Sequence, residues 1–581
     1  MNRRPDFTTT APSHLVVEQS AWSPGVLSRT PTAFRLLETI HRPENVFPSA
    51  ELVEDFARMT GMPMEELVMF RPARLALHEV IVRVTADIVV SEGESEEVFG
   101  QNFRRIADRI LSHHVLPRMG EVERMHLDLR ERVTHRVRAI LAARLGPVAA
   151  PSAVRTFPSR LLARCRSIRS PDKIPGEREH SVVSGFKSDG LAASDPCERA
   201  IFKGLYRVLG AILAARGILG SDLQMLAELV TRYVCNHFGS RMIGEAIKEW
   251  IDVAVEQEGY QRVCNRAQPV LISLKGASAA GKSSIRPMIK RLMTDCGIEP
   301  DGYATISPDV WRRLLLDFES LGDAYKYAGY LTSREVMVID GKLDRYIRDK
   351  ANRAQAIPHL LVDRFRFDSF SSDEVSRILR DTYTRYVSTI HMYFLVTPPE
   401  ETVERGWLRA LERGRYKAVE DFLAHCVEAY RGMPKILFRW LGCSDVDYRY
   451  YFMDNRVPKG TFPKLIAAGN RDRMEIYDLE GMVNIERYQK INIHAHSRTE
   501  VHPPDAYADI QENVSFLHQC IRRVPSVVLV NSPDGRPYLE FSDKRFKVLD
   551  AQTLTAVLEC NRLASILELL TPRNFLRAVE P

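Results

Sequence analysis

The stretch VLISLKGASAAGKSSIRPMIKRL, residues 270–292, limits the possible folds more than any other part of the chain. Val270 to Leu274 is an apolar run of strand length, Gly276 to Ser283 fits G-x-x-x-x-G-K-[ST], and Ile285, Met288, Ile289 and Leu292 share one helical face. Strand, loop and helix thus follow the order of a phosphate-binding unit in a parallel α/β sheet. Small residues let the loop curl until its amides converge on phosphate oxygens, and the helix N-terminus adds partial positive charge. Gly276, Ala277, Ser278, Ala279, Ala280, Gly281, Lys282, Ser283 and Ser284 are therefore expected to hold the phosphates of a nucleoside triphosphate. Lys282 would reach the β and γ phosphates, and the Ser283 hydroxyl would ligate Mg²⁺. The competing reading, a Gly-Ser turn before a surface helix, is disfavoured by the flanking elements.

A chain of 581 residues is long for one domain, so two to four are expected. With 45% hydrophobic and 27% charged residues it reads as globular. No apolar run approaches the roughly 18 residues of a membrane helix, and no Sec-type signal opens the chain, so synthesis in the cytosol is expected. Nine cysteines without a CxxC pair argue against a disulfide framework and a zinc site. A net charge of +6 is too mild to indicate nucleic acid.

Composition suggests five segments. Residues 1–35 are rich in Ser, Thr and Pro and read as disordered or as an export segment. Residues 36–147 are helical, with Phe103, Ile106, Ile110 and Leu111 on one face; 148–196 read as a Pro- and Arg-rich linker. Residues 197–470 form the P-loop core with a helical lead-in, and 471–581 an α/β extension. The expected class is α/β, a parallel sheet flanked by helices, with an added mostly helical N-terminal region. Because every motif lies beyond the linker, the first 150 or so residues are expected to be dispensable for chemistry.

The elements after the P-loop favour a kinase over a switch GTPase. In YATISPDVWRRLL, Asp309 sits at a strand-to-helix junction, where an Asp is also stabilising with no catalytic role. Leu360 to Val362 makes a short strand ending in Asp363, a position for a Walker B type acid, followed by Arg364 and Arg366; a strand-end Asp-Arg pair is the bland alternative. Beyond the strand Met392 to Val396, a helix carries Arg405, Arg409, Arg413 and Arg415 with Gly414 breaking it, which suits a lid over phosphates. The alternative is a solvated helix whose arginines pair with Glu401, Glu404 and Glu412. A strand at Tyr450 to Met453 is placed on the adenine side. His494 and His496 fall on one face of an expected surface strand, and no third metal ligand is evident.

The order of Walker A, strand-S-P-D-x-x-R (Asp309 and Arg312), strand-D-R-x-R (Asp363 to Arg366) and strand-T-P-P-E-x-T-V-E-R with an Arg-Gly-Arg lid resembles the zeta-toxin kinases. The step of 27 residues from Lys282 to Asp309 is closer to a zeta-like branch, the AvrRxo-type type III effectors of plant-pathogenic bacteria. The resemblance spans roughly 198–470. It implies ATP-dependent phosphorylation of the 3′-hydroxyl of NAD, with Asp309 as base, Lys282 and Ser283 on ATP and Mg²⁺, and Arg312, Asp363, Arg366 and the lid arginines around substrate. It also implies a toxin or virulence effector with a small cognate antitoxin or chaperone, secreted into a host by a type III system. The alternatives are a UDP-N-acetylglucosamine or polynucleotide kinase, and a nucleotide-gated interaction protein without activity. Asp363 stands where zeta toxins tend to carry a Glu-Gly-Thr turn, which weakens a UDP-sugar as substrate.

Overall fold

The computed structural model describes residues 20–24, 31–146, 177–300, 302–363, 383–458, 461–503, 509–543 and 545–572. Apolar runs bounded by turn residues become strands: β1 (Val270–Gly276), β2 (Tyr303–Ile306), β3 (His359–Val362), β4 (Thr389–Val396), β5 (Asp447–Asp454), β6 (Lys464–Gly469), β7 (Arg473–Ile476), β8 (Ser526–Val530), β9 (Pro537–Ser542) and β10 (Arg545–Val548). They join one sheet in the order β10-β9-β8-β7-β6-β5-β4-β1-β3-β2. The five strands at the β2 end are all parallel. β1, β3 and β4 are buried along almost their whole length, which is why they read as continuous apolar runs rather than alternating ones. Beyond β5 the pairing becomes mostly antiparallel, with β7 and β8 again parallel. Helices cover the sheet, and the α/β class expected from the sequence is the class observed.

The N-terminal helices are part of the same body. Helix Pro72–Asp87 is buried continuously from Leu75 to Ala86 and packs on β2 and on helix Ser333–Ala354. One apolar core runs from Ile40 to Leu570. Inside it lies a polar chain. Arg74 donates to both oxygens of Glu335 at 2.6 and 2.7 Å, His78 meets the same carboxylate at 2.6 Å, and Lys342 lies 2.9 Å from His78 and 2.7 Å from Ser240. Burial, and then Lys342, push the His78 imidazole down to about 3, so it is neutral, donating from Nε2 to Glu335 and accepting at Nδ1 from Lys342. Arg74, His78, Glu79 and Arg83 on the buried face of this helix find partners on elements far away in sequence.

Several boundaries differ from the sequence expectation. Glu177–Ala192, within the expected linker 148–196, is an α-helix packed against helix Pro196–Arg216, while 147–176 lie outside the described residues. Within 1–35, Trp22 packs against the main core, and Phe34 packs on a second apolar cluster around Phe318 and Tyr327. The division at 470 falls in the turn between β6 and β7, so β7 to β10 continue the sheet of the core. His494 and His496 lie in an irregular segment, not on a strand. Within the expected α/β extension, two helices, Ala551–Leu558 and Asn561–Leu570, follow the last strand.

Candidate functional site

All five parallel strands deliver a residue to one crevice at their carboxyl ends. β1 leads into the P-loop, β2 into Asp309, β3 into Asp363, β4 into Thr397 and β5 into Asn455. The spatial order β2-β3-β1-β4-β5 places the earlier strands on one side of β1 and the later ones on the other, and ligands of open α/β sheets bind at such a switch point.

The loop is shaped by backbone and neighbours together. Ala279 and Gly281 adopt φ of 60° and 91°, and a Cβ at Gly281 would collide with Asn455 Nδ2. That amide donates to Ala280 O at 2.7 Å, and Thr397 Oγ1 donates to the same oxygen at 3.1 Å. Ser278 N donates to His425 Nδ1 at 3.0 Å; burial, then Lys417 and Lys282, push that imidazole down to about 3 and leave it an acceptor. Lys282 folds back over its own loop, with Nζ 3.4 Å from Gly276 O and 3.3 Å from Ala277 O. A 3₁₀ turn, Lys282–Ile285, leads into helix Arg286–Asp295, where Pro287 sits in the first turn and needs no amide donor.

Above the loop lies a cleft of about 410 Å³, within the range of small-molecule sites. It is lined by Lys282, Ser283, Ser284, Asp309 and Asp363, by Asn455, Val457 and Pro458, by lid residues Arg405, Arg409 and Arg413, and by Glu96 from the N-terminal region. Asp363 is held by its amide, which donates to Ile306 O at 2.9 Å. Burial pushes its carboxyl above the ordinary range, although Lys282 and Arg286 pull the other way. Arg364 and Arg366 lie outside the described residues.

The lid is helix Pro399–Arg413, ended by Gly414 at φ 64°, where a Cβ would stand 2.5 Å from Tyr325 O. All four arginines are at least two-thirds buried, which excludes a freely solvated face. Arg405 pairs with Glu401 at 2.9 Å and donates to Asn455 O at 2.8 Å, and Arg413 pairs with Glu96 at 2.8 Å. Glu404 pairs instead with Arg498 of the C-terminal part, at 3.1 Å. Asp309 receives three arginines: Arg312 at 3.0 Å, Arg409 at 3.4 Å, and Arg415 in direct contact. Burial alone would raise its carboxyl, but Arg415 and Arg312 outweigh that and hold it well below the usual range. Arg312 is itself braced by Gly329 O at 2.6 Å and Thr332 Oγ1 at 2.8 Å.

Asp309 also forms a wall of a second recess, of only about 40 Å³, with Arg312, Arg313, Arg415, Phe318 and, from the helix Glu96–Ile110, Glu96, Glu97, Gly100 and Arg104. The Arg313 guanidinium lies 4.9 Å from the Phe318 ring. The Asp309 carboxylate thus stands between a P-loop cleft and a cationic, partly aromatic recess.

Two contributions escaped the sequence reading. Glu96 opens a helix behind its cap Ser95, a pattern that signals only a helix start. Glu92, 2% exposed, accepts from Arg286 of the P-loop helix and from Thr305 of β2, both in close contact. Neither has a local signature. Among the described residues no group of three or more His, Cys, Asp or Glu is arranged to hold a metal, and no helix is long and apolar enough to cross a membrane.

No family model matches the chain, and no curated protein matches it. Among solved structures, one from the PezAT chromosomal toxin-antitoxin system of Streptococcus pneumoniae is 16% identical, covering 35% of this chain and 76% of its own, with a TM-score of 0.24. Another, from the AvrRxo1-ORF1:-ORF2 complex, is 14% identical, covering 48% of this chain and 84% of its own, with a TM-score of 0.29. Scores this low leave the topology to rest on the strand pairing itself.

Proposed function

We propose that the chain is an ATP-dependent kinase acting on an alcohol group, with the 3′-hydroxyl of NAD as acceptor and a toxin or secreted effector role. The observation that carries the reading is the place of Asp309, on the wall shared by the P-loop cleft and the second recess. ATP phosphates would lie on the loop amides with Lys282 and the lid arginines about them. The acceptor hydroxyl would reach Asp309 at this wall, and because the recess holds only about 40 Å³, the body of the acceptor would lie in the larger cleft. Its hydroxyl oxygen would attack the γ phosphorus, the bond to the β–γ bridging oxygen would break, and the proton would pass to Asp309. Mg²⁺ would be held by the Ser283 hydroxyl, with Asp363 beside it, and would supply charge neutralisation on the phosphates. Ser283 and Asp363 line the same cleft, and a hydroxyl with a carboxylate is an oxygen donor set that fits such a cation. The resemblance adds a small antitoxin or chaperone and type III secretion to the proposal.

The test is transfer from γ-labelled ATP to NAD, UDP-N-acetylglucosamine and oligonucleotides in parallel. Label on NAD in a product that NADP-dependent dehydrogenases do not use is the expected result. Label on UDP-N-acetylglucosamine alone would give the sugar reading, and no label on any acceptor would favour the nucleotide-gated interaction protein.

A further inference from the structure

Remote from the P-loop, the helical part carries a second, open cavity of comparable size, about 420 Å³. Arg199 and Lys203 reach it from helix Pro196–Arg216, Tyr233 and His237 from the end of helix Leu223–Val234 and the π turn after it, Arg241 from helix Ser240–Ala246, and Arg345 from helix Ser333–Ala354. Four cations line it, and no carboxylate does. Among the described residues, Lys203, Arg241 and Arg345 have no acidic side chain within salt-bridge distance; Glu66 is engaged by Arg207 at 3.1 Å and Glu79 by Ser240. Arg345, Arg241 and Arg348 depress the Lys203 ammonium after burial does, so the cations repel one another across the space. Tyr233 and His237 stack at 4.2 Å and form one flat wall.

Glu79 and Asp349 attract Arg345, yet the open volume itself is lined by like charges and by no carboxylate. Such a cluster opposes folding by self-repulsion unless a ligand neutralises it. Guanidinium groups match phosphate oxygens in planar, bidentate geometry and keep their charge when desolvated. We propose that this cavity is a second anion-binding site that takes a small molecule carrying two or more phosphate groups. The site is separate from the kinase cleft. Arg345 lies 12 residues along helix Ser333–Ala354 from Ser333, which touches Arg312, and at 1.5 Å per residue that is about 18 Å.

Titration calorimetry of the full-length chain with inorganic tripolyphosphate tests this. The intact protein should show two binding events. Lys203→Glu/Arg241→Glu, both exposed positions chosen so that the fold survives, should weaken one event at least tenfold and leave the other. Lys282→Ala should remove the other and leave the first. Arg138→Glu, an exposed reversal elsewhere, controls for overall charge. A single event that vanishes in Lys282→Ala, an unchanged isotherm in the double reversal, or equal weakening by Arg138→Glu would each overturn the proposal. Loss confined to Lys282→Ala bears on the P-loop alone, so the two sites fail independently.

Discussion

Glu92→Gln is the sharpest probe of whether the N-terminal helices and the kinase core are one unit. Glu92 and Arg286 are 2% and 3% exposed, and the glutamine keeps the shape while removing the only counter-charge in contact with the guanidinium among the described residues. Breaking a buried pair from one side costs roughly 3–5 kcal/mol. The low end applies here, because the Phe99 ring lies 5.0 Å from the guanidinium and Asp363 and Glu96 also act on it favourably. Unfolding entropy near 2.1 cal/mol/K per residue gives about 1.2 kcal/mol/K for the whole chain. A loss of about 3 kcal/mol then lowers Tm by roughly 2.5 °C if the chain melts together, but by roughly 11 °C if a unit of about 130 residues melts alone. Calorimetry should show one main transition shifted by the smaller amount. Glu92→Leu/Arg286→Met should recover most of it, since an apolar replacement of both partners removes the unpaired charge. Two resolved transitions of which only one moves, or a double variant as unstable as the sum of the single ones, would refute this. So would a soluble, folded fragment beginning at Glu177 that keeps full kinase activity.

Lys282→Ala should abolish phosphoryl transfer with Tm unchanged, because Nζ contacts only two loop carbonyls at 3.3–3.4 Å; calorimetry and label transfer on one preparation check both halves. Asp309→Asn should lower turnover by roughly 10²- to 10⁴-fold, and normal turnover would remove the base from the mechanism. Glu38 lies in a buried pair with Arg334 at 2.9 Å, and burial raises its carboxyl from 4.5 to about 7. The folded state therefore holds a proton that the unfolded state releases, and the associated stability is present below pH 4.5 and lost as pH rises through 7. Glu38→Gln should remove a fall in unfolding free energy on the order of 3 kcal/mol between pH 4.5 and 8, read as a flatter Tm profile; parallel profiles would reject this.

What could be read from the sequence was local. β2 precedes Asp309 as expected, and β1, β3, β4 and β5 enclose the expected runs, because buried parallel strands are short apolar stretches with turn residues at each end. The P-loop, Asp309, Asp363 and the lid arginines were legible because each follows a strand or occupies a helical spacing. Helix Pro72–Asp87 was not legible as part of the core. His78, Glu79 and Arg83 make it look half-solvated, and their burial depends on Glu335, Lys342, Ser240 and Gly244, more than 150 residues away. Glu92 and Glu96 were hidden for the same reason, since their partners Arg286 and Arg413 lie 194 and 317 positions along the chain.

The contact of Arg409 and Arg415 with Asp309 has a kinetic consequence. The carboxylate that should accept the proton is occupied by the cations that should clasp the triphosphate, so an acceptor arriving first finds the base already taken. Triphosphate oxygens compete for those guanidinium forks and release the carboxylate when they win. Steady-state kinetics should follow a compulsory order with ATP leading, and a dead-end analogue of the acceptor should be uncompetitive against ATP.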